Sequence, residues 1–181
     1  MVAAPLGGLP IHPRTGCTHP APRLSLSPGL GCCSNMRVIH LNQSDITGGA
    51  ARAAYRIHQC LRGAGIDSRM WVEGARSGDW TVKRFPTRSR PARVWAALRR
   101  RAARLARRGL KTGNPIIHSP AVLPSNWPKR INASDADVVH LHWLGGEMLS
   151  IPDFARINKP IVWTLHDMWA FCGAEHYTED Q

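Results

Sequence analysis

Arg37-Val38-Ile39-His40-Leu41-Asn42-Gln43-Ser44-Asp45-Ile46-Thr47-Gly48-Gly49-Ala50-Ala51-Arg52 is the stretch on which the fold turns. Its first six residues form a short apolar run, the pattern of a parallel strand buried on both faces. The run breaks into a polar turn carrying two glycines, and a helix then opens. Ala50, Ala54, Ile57, Leu61 and Ala64 fall on one face of that helix at spacings of three and four. Gly65 stands where a left-handed residue closes a helix. Residues 68–73 read as a second strand. Strand, glycine turn, helix and strand make a βαβ unit. The expected fold class is therefore α/β, a Rossmann-like parallel sheet flanked by helices.

Downstream, residues 74–90 are polar and turn-rich, with a short strand expected near 80–85. Pro91 suits the first turn of a helix running to Arg108 and closed by Gly109. Residues 113–128 carry four prolines and read as irregular. A third strand is expected over 137–142, a short helix over 148–157 around Pro152, and a fourth strand over 160–165. That strand empties into His166-Asp167-Met168-Trp169. Upstream, residues 1–35 hold Pro5, Pro10, Pro13, Pro20, Pro22 and Pro28 among five glycines, a density that forbids a helix or a central strand. They read as a disordered tail, with Met36 a candidate start of translation. The expected organisation is a tail over 1–35 and one partial domain over 36–181, long enough to bury a core and carrying a basic insertion at about 84–130.

The charge is uneven. Lys and Arg number 24 against 12 Asp and Glu, a formal +12, and no acidic residue occurs between Arg84 and Ser134. Such a region seeks an anionic partner or is simply a solvated face. In the helix over 91–108, Trp95, Leu98, Ala102 and Leu105 make one apolar stripe. Seven arginines from Arg93 to Arg108 surround it. A stripe of this kind suits the surface of an anionic bilayer, or it docks on the sheet. Nucleic acid is disfavoured because aromatic residues for base stacking are scarce there. The five cysteines are odd in number, include the adjacent Cys32 and Cys33, and form no CxxC pair. That pattern points to free thiols in a reducing, cytoplasmic compartment. No run of 18 apolar residues can span a bilayer, and the N-terminus lacks the layout of a signal peptide.

Two constellations carry chemistry. In the glycine turn, the free amides of Gly48, Gly49 and Ala50 at a helix start favour an anion such as a phosphate, and Arg52 adds a guanidinium. The alternative is a tight turn needing glycine for packing alone. The second constellation is the set of strand ends, since ligands of open α/β sheets bind outside the carboxyl ends of the strands. Asn42, Ser44 and Asp45 follow the first strand, His142 and Trp143 the third, and His166, Asp167 and Trp169 the fourth. His140 and His142, two apart on one strand face, also raise a zinc site with His166, Asp167, Cys172 or His176. The expectation is no metal, because His140 should lie inside the sheet and no compact ligand spacing follows.

Taken together, residues 38–54, the strand ending Val138-Val139-His140-Leu141-His142-Trp143 and the run Pro160-Ile161-Val162-Trp163-Thr164-Leu165-His166-Asp167-Met168-Trp169 resemble glycosyltransferase family four, over roughly residues 36–177. The resemblance implies a GT-B enzyme of two Rossmann-like domains, of which this chain is the N-terminal, acceptor-side half. The domain that grips the donor would be missing, so the chain reads as an incomplete enzyme, a fragment inactive by itself. It further implies transfer from a nucleotide-sugar donor to a polysaccharide or lipid-linked acceptor, with retention and without a metal or other cofactor. Gly48, Gly49 and Arg52 would lie under the donor phosphates, with His166 and Asp167 at the transferred sugar. Ser44, Asp45, His142, Trp143 and Trp169 would contact substrate. The basic helix matches a variable region that in related enzymes touches membrane or a lipid-linked acceptor, which implies a peripheral place on the inner face of the membrane. Many relatives carry Gly-Cys before the His-Tyr pair where this chain has Ala174-Glu175, so no cysteine site is implied. Competing readings are a non-enzymatic basic module acting through residues 84–130 and a zinc hydrolase using His140 and His142.

Overall fold

The computed structural model describes residues 36–85, 90–109 and 117–177; the expected tail over 1–35 lies outside them. Five parallel strands form one sheet: β1 (Arg37–Ser44), β2 (Asp67–Gly74), β3 (Val82–Arg84), β4 (Val138–Leu141) and β5 (Ile161–Trp163). Their spatial order is β3-β2-β1-β4-β5. The helices are α1 (Gly49–Gly63), α2 (Arg90–Gly109), α3 (Trp127–Asn132) and α4 (Ile151–Phe154). This is the Rossmann-like α/β sheet that the strand pattern predicts.

β1 sits at the centre and is buried almost throughout. Alternation along it separates two unlike faces. Ile39 and Leu41 point with Val139, Leu141 and Trp71 into the main core, where Trp127, Ile131, Met148, Leu149 and Trp169 close the layer. His40 belongs to the opposite face, next to the smaller cluster of Ala54, Met70 and Val72. Its ring stands 5.7 Å from that of His58 on α1. That contact changes the expected face of α1. The residues buried are Ala51, Ala54 and His58, with Ile57 and Leu61 only partly covered. His58 is tolerated there because both ring nitrogens are bonded, Nδ1 to Ser68 Oγ and Nε2 to Thr81 Oγ1, each at 2.8 Å. Thr81 already donates its hydroxyl proton to Asp79, so Nε2 of His58 is the donor and Nδ1 accepts from Ser68. Asp79 also accepts from Tyr55 and Gln59.

α1 closes as expected. Ile66 N–H bonds Leu61 O, Gly65 N–H bonds Arg62 O, and Gly65 takes φ +83°, the paired pattern of a Schellman cap. Two helix boundaries differ from expectation. The stretch over 113–128 is not irregular to its end, because α3 begins at Trp127 with Pro128 in its first turn, where a proline has no N–H to lose. The helix expected over 148–157 shrinks to α4, which opens at Ser150 with Asp153 returning a bond to the Ser150 amide.

α2 does not dock its apolar stripe on the sheet. Trp95, Leu98 and Leu105 are exposed at 41%, 49% and 68%. The helix is anchored instead by Ala103 and by Arg99, which is buried and donates from Nε to Leu123 O at 3.1 Å. Burial pushes the Arg99 guanidinium below its ordinary value, with Asp153, Glu147 and Glu73 opposing. Among the described residues no helix is long and apolar enough to cross a membrane.

Candidate functional site

The strand order reverses between β1 and β4, and a cleft of about 420 Å³ opens there at the carboxyl ends, as the rule for open α/β sheets requires. Three strand ends reach it. Ser44 comes from the end of β1 and Thr47, Gly48 and Gly49 from the segment after it, Trp143 from the segment after β4, and His166 from that after β5. His176 and Tyr177 complete the wall. The two-glycine turn and His166, 118 positions apart, thus share one lip of the sheet.

The glycine turn is built by its neighbours. Gly48 adopts φ 95°, ψ 171°, a region essentially confined to glycine, and the space where its Cβ would stand is open. Ser44 Oγ accepts the Thr47 amide at 3.2 Å. Asp45 is fully buried: one carboxylate oxygen takes the Ile46 amide, the other the amides of Arg76 and Ser77 at 2.8 and 2.7 Å. Burial pushes the Asp45 carboxyl up, but those amides outweigh it and hold the group below the ordinary range. Asp45, expected as a substrate contact, is placed here with its oxygens tying the turn to the segment after β2. Arg52 is exposed and lies outside the lining of the cleft. Among the described residues no side chain caps α1 and no acid stands in its first turn, so the positive end of a 15-residue helix opens to the cleft.

Behind His166 runs a chain of rings. His142 Nδ1 lies 3.1 Å from His166 Nε2, and His142 Nε2 lies 3.0 Å from His40 Nδ1. His142 and His40 are buried. Burial, with His140 and other neighbouring rings adding to it, drives His40 down to about 3 and His142 down to about 2. His166 is lowered too, by burial, against the opposing pull of Asp167. His142, expected as a substrate contact, is sealed behind the cleft with both nitrogens engaged.

Asp167 is likewise turned inward. Its carboxylate receives His176 Nδ1–H on one oxygen and the Trp169 amide on the other, and it does not line the cleft. His176 Nε2 meets Ser119 Oγ at 2.9 Å. Ser119 N–H bonds Ala174 O and His176 N–H bonds Ile117 O, which pins the 174–176 segment against 117–119. Trp169, expected as a substrate contact, is placed in the core, where it is buried and donates from its indole to Ser119 O at 2.9 Å. The reading from sequence missed Tyr177 as a cleft residue and weighed His176 only as a metal ligand. Asn42, expected at the end of the first strand, lines the cleft, and its Oδ1 receives the Trp143 amide at 2.8 Å, which binds two strand ends together.

For a metal, the described residues offer one grouping, His40, His140 and His142, with ligand atoms within 4.8 Å of one another. Zinc would need nitrogens roughly 3.3 Å apart aimed at one point. His142 already spends both nitrogens within the chain of rings, and His140 Nε2 is bonded to Thr164 Oγ1 at 2.7 Å. Asp167, Cys172 and His176 do not join the grouping.

Neither the curated proteins nor the solved structures contain a match to the chain. The family model Glycosyltransferase Family 4 matches residues 47–180, which begins at the glycine turn and takes in every strand end of the cleft after it. With that match over most of its length, the chain belongs to glycosyltransferase family 4.

Proposed function

We propose that the cleft serves glycosyl transfer from a nucleotide-sugar donor to a glycan or lipid-linked acceptor, with retention of configuration and without a metal. The observation that carries the reading is the uncapped start of α1 at Gly48 and Gly49, opening into the same cleft as His166. Breaking a glycosyl–phosphate bond builds negative charge on the leaving diphosphate, and preorganised N–H groups at a helix end stabilise such charge without reorganising. His166 and the wall of His176 and Trp143 stand where the sugar would lie. The donor's nucleotide would be held largely by a second Rossmann-like domain, as the GT-B architecture implies. A direct test is titration of the ¹⁵N-labelled chain with uridine or guanosine diphosphate. The expected result is a set of amide shifts confined to residues 47–51, 143, 166 and 176–177, abolished in Gly48→Ala. Shifts elsewhere, or none at millimolar nucleotide, would count against the reading.

A second proposal concerns α2. Its stripe of Trp95, Leu98 and Leu105 faces outward among arginines, the arrangement of a helix lying in an anionic bilayer surface. This would place the enzyme on the cytoplasmic face of a membrane, near a lipid-linked acceptor. Sedimentation with phosphatidylglycerol vesicles should recover the chain at low salt and lose it at high salt. Arg101, Arg104 and Arg108 changed together to Gln should abolish recovery. Arg99 must be left in place, because it anchors the helix.

A further inference from the structure

Three neutral rings in a row have only two internally consistent proton arrangements, and the buried end of this row distinguishes them. Each neutral imidazole carries one N–H and one lone pair. The contacts His40 Nδ1 to His142 Nε2 at 3.0 Å and His142 Nδ1 to His166 Nε2 at 3.1 Å must each pair an N–H with a lone pair. All three rings therefore point their N–H groups the same way. If the polarity runs inward, His166 Nε2–H donates to His142, His142 Nε2–H donates to His40, and His40 is left with an N–H at Nε2. That atom is buried and has no hydrogen-bond partner. If the polarity runs outward, His40 Nδ1–H donates to His142 and His142 Nδ1–H donates to His166. Only a lone pair is then stranded at His40 Nε2. A buried N–H without an acceptor is the rarer and costlier defect.

We propose that His142, itself bonded to the buried His40, is a positioning residue that fixes the tautomer of His166, so that its ring offers Nδ1–H to the cleft as a hydrogen-bond donor. His166 Nδ1 has no partner among the described residues and belongs to a ring that lines the cleft. In this state His166 binds a ligand oxygen, from a sugar hydroxyl or a phosphate, and has no lone pair with which to take a proton from an acceptor hydroxyl. The inference deepens the proposed function, since it assigns the polarity of one wall of the same cleft. The neighbours do not upset the arrangement. His140 is held separately by Thr164, and the protons on His58 are set by Asp79 through Thr81.

The experiment is a long-range ¹H–¹⁵N correlation of the ¹⁵N-histidine-labelled chain at pH 7.5, without ligand. The expected result is a single tautomer, protonated at Nδ1, for His40, His142 and His166 alike. Neutral histidine in water favours the Nε2–H form, so the outcome is diagnostic. His142→Leu removes the ring that donates to His166 Nε2 and should let His166 populate both tautomers. A wild-type His166 protonated at Nε2 overturns the proposal, as does a folded His142→Leu chain in which His166 is unchanged. Should His142→Leu not fold, the wild-type spectrum decides alone. Failure of uridine diphosphate to bind would sink the proposed function and leave this measurement intact.

Discussion

Trp143 occupies the space that a side chain on Gly145 would need: a Cβ built there would lie 2.3 Å from the indole ring. The ring is a wall of the cleft, and its backbone is tied to β1 on both sides, by its amide to Asn42 Oδ1 and by its carbonyl to the Gln43 amide. Gly145→Ala therefore cannot be relieved by moving the backbone, and the indole must give way. We expect a loss of about 1–3 kcal/mol in urea unfolding and a displaced Trp143 indole resonance. An unmoved indole resonance would contradict this account of the wall.

Gly48→Ala tests backbone conformation alone, since the added methyl meets nothing. The conformation itself is strained for any L side chain, and the cost should be about 1–3 kcal/mol. The turn should respond by swinging the first amides of α1 away from the cleft. Loss of nucleoside diphosphate shifts with the fold retained is the expected outcome.

Asp167→Ala should act through His176. The carboxylate bonds both the His176 ring and the Trp169 amide, and its removal strands two inward-facing donors at about 1–3 kcal/mol for each unsatisfied group. The His176 ring resonances should broaden or split. A crystal structure of the variant with His176 unmoved would refute the positioning role.

Stability should fall as the solution is acidified from neutrality. His40 and His142 are ordinarily half-protonated near 6.5 but in the fold only at about 3 and about 2. Above pH 6.5 both states are neutral and nothing is lost. Below it the unfolded chain binds two protons that the native chain refuses, so native stability drops by about 2.7 kcal/mol per pH unit from these two groups until pH approaches 3. His58, His140 and His166, lowered in the same direction with burial as the leading cause, steepen the fall. Urea midpoints should be level between pH 8 and 7 and decline sharply below 6; a level midpoint down to pH 5 would refute a neutral, buried histidine layer.

How far the site is legible in the sequence differs by element. The apolar run after Met36, the turn through Gly48 and Gly49 and the helix closed at Gly65 mark a βαβ unit by period and by glycine placement, both local signals. The ends of β1, β4 and β5 follow once the sheet is assumed parallel. What periodicity misjudges is the inner face of α1. His58 reads as polar, yet it is buried, because its partners Ser68 and Thr81 arrive from β2 and from the turn before β3. The same reason places Asp45, His142 and Trp169 among the buried, bonded residues behind the lining of the cleft. Each has its polar atoms satisfied by residues distant in sequence: the Arg76 and Ser77 amides for Asp45, His40 for His142, and the Ser119 carbonyl for Trp169.

The order of residues alone determines that this chain is a parallel α/β unit with a glycine-bearing helix start and polar strand ends, because hydrophobic period and backbone permissiveness are properties of neighbours along the chain. Only the tertiary structure decides which polar side chains face solvent and which are consumed in holding the cleft. A hydrogen-bond partner 100 residues away has no local signature, and burial without one would have cost too much for these histidines and carboxylates to remain inside.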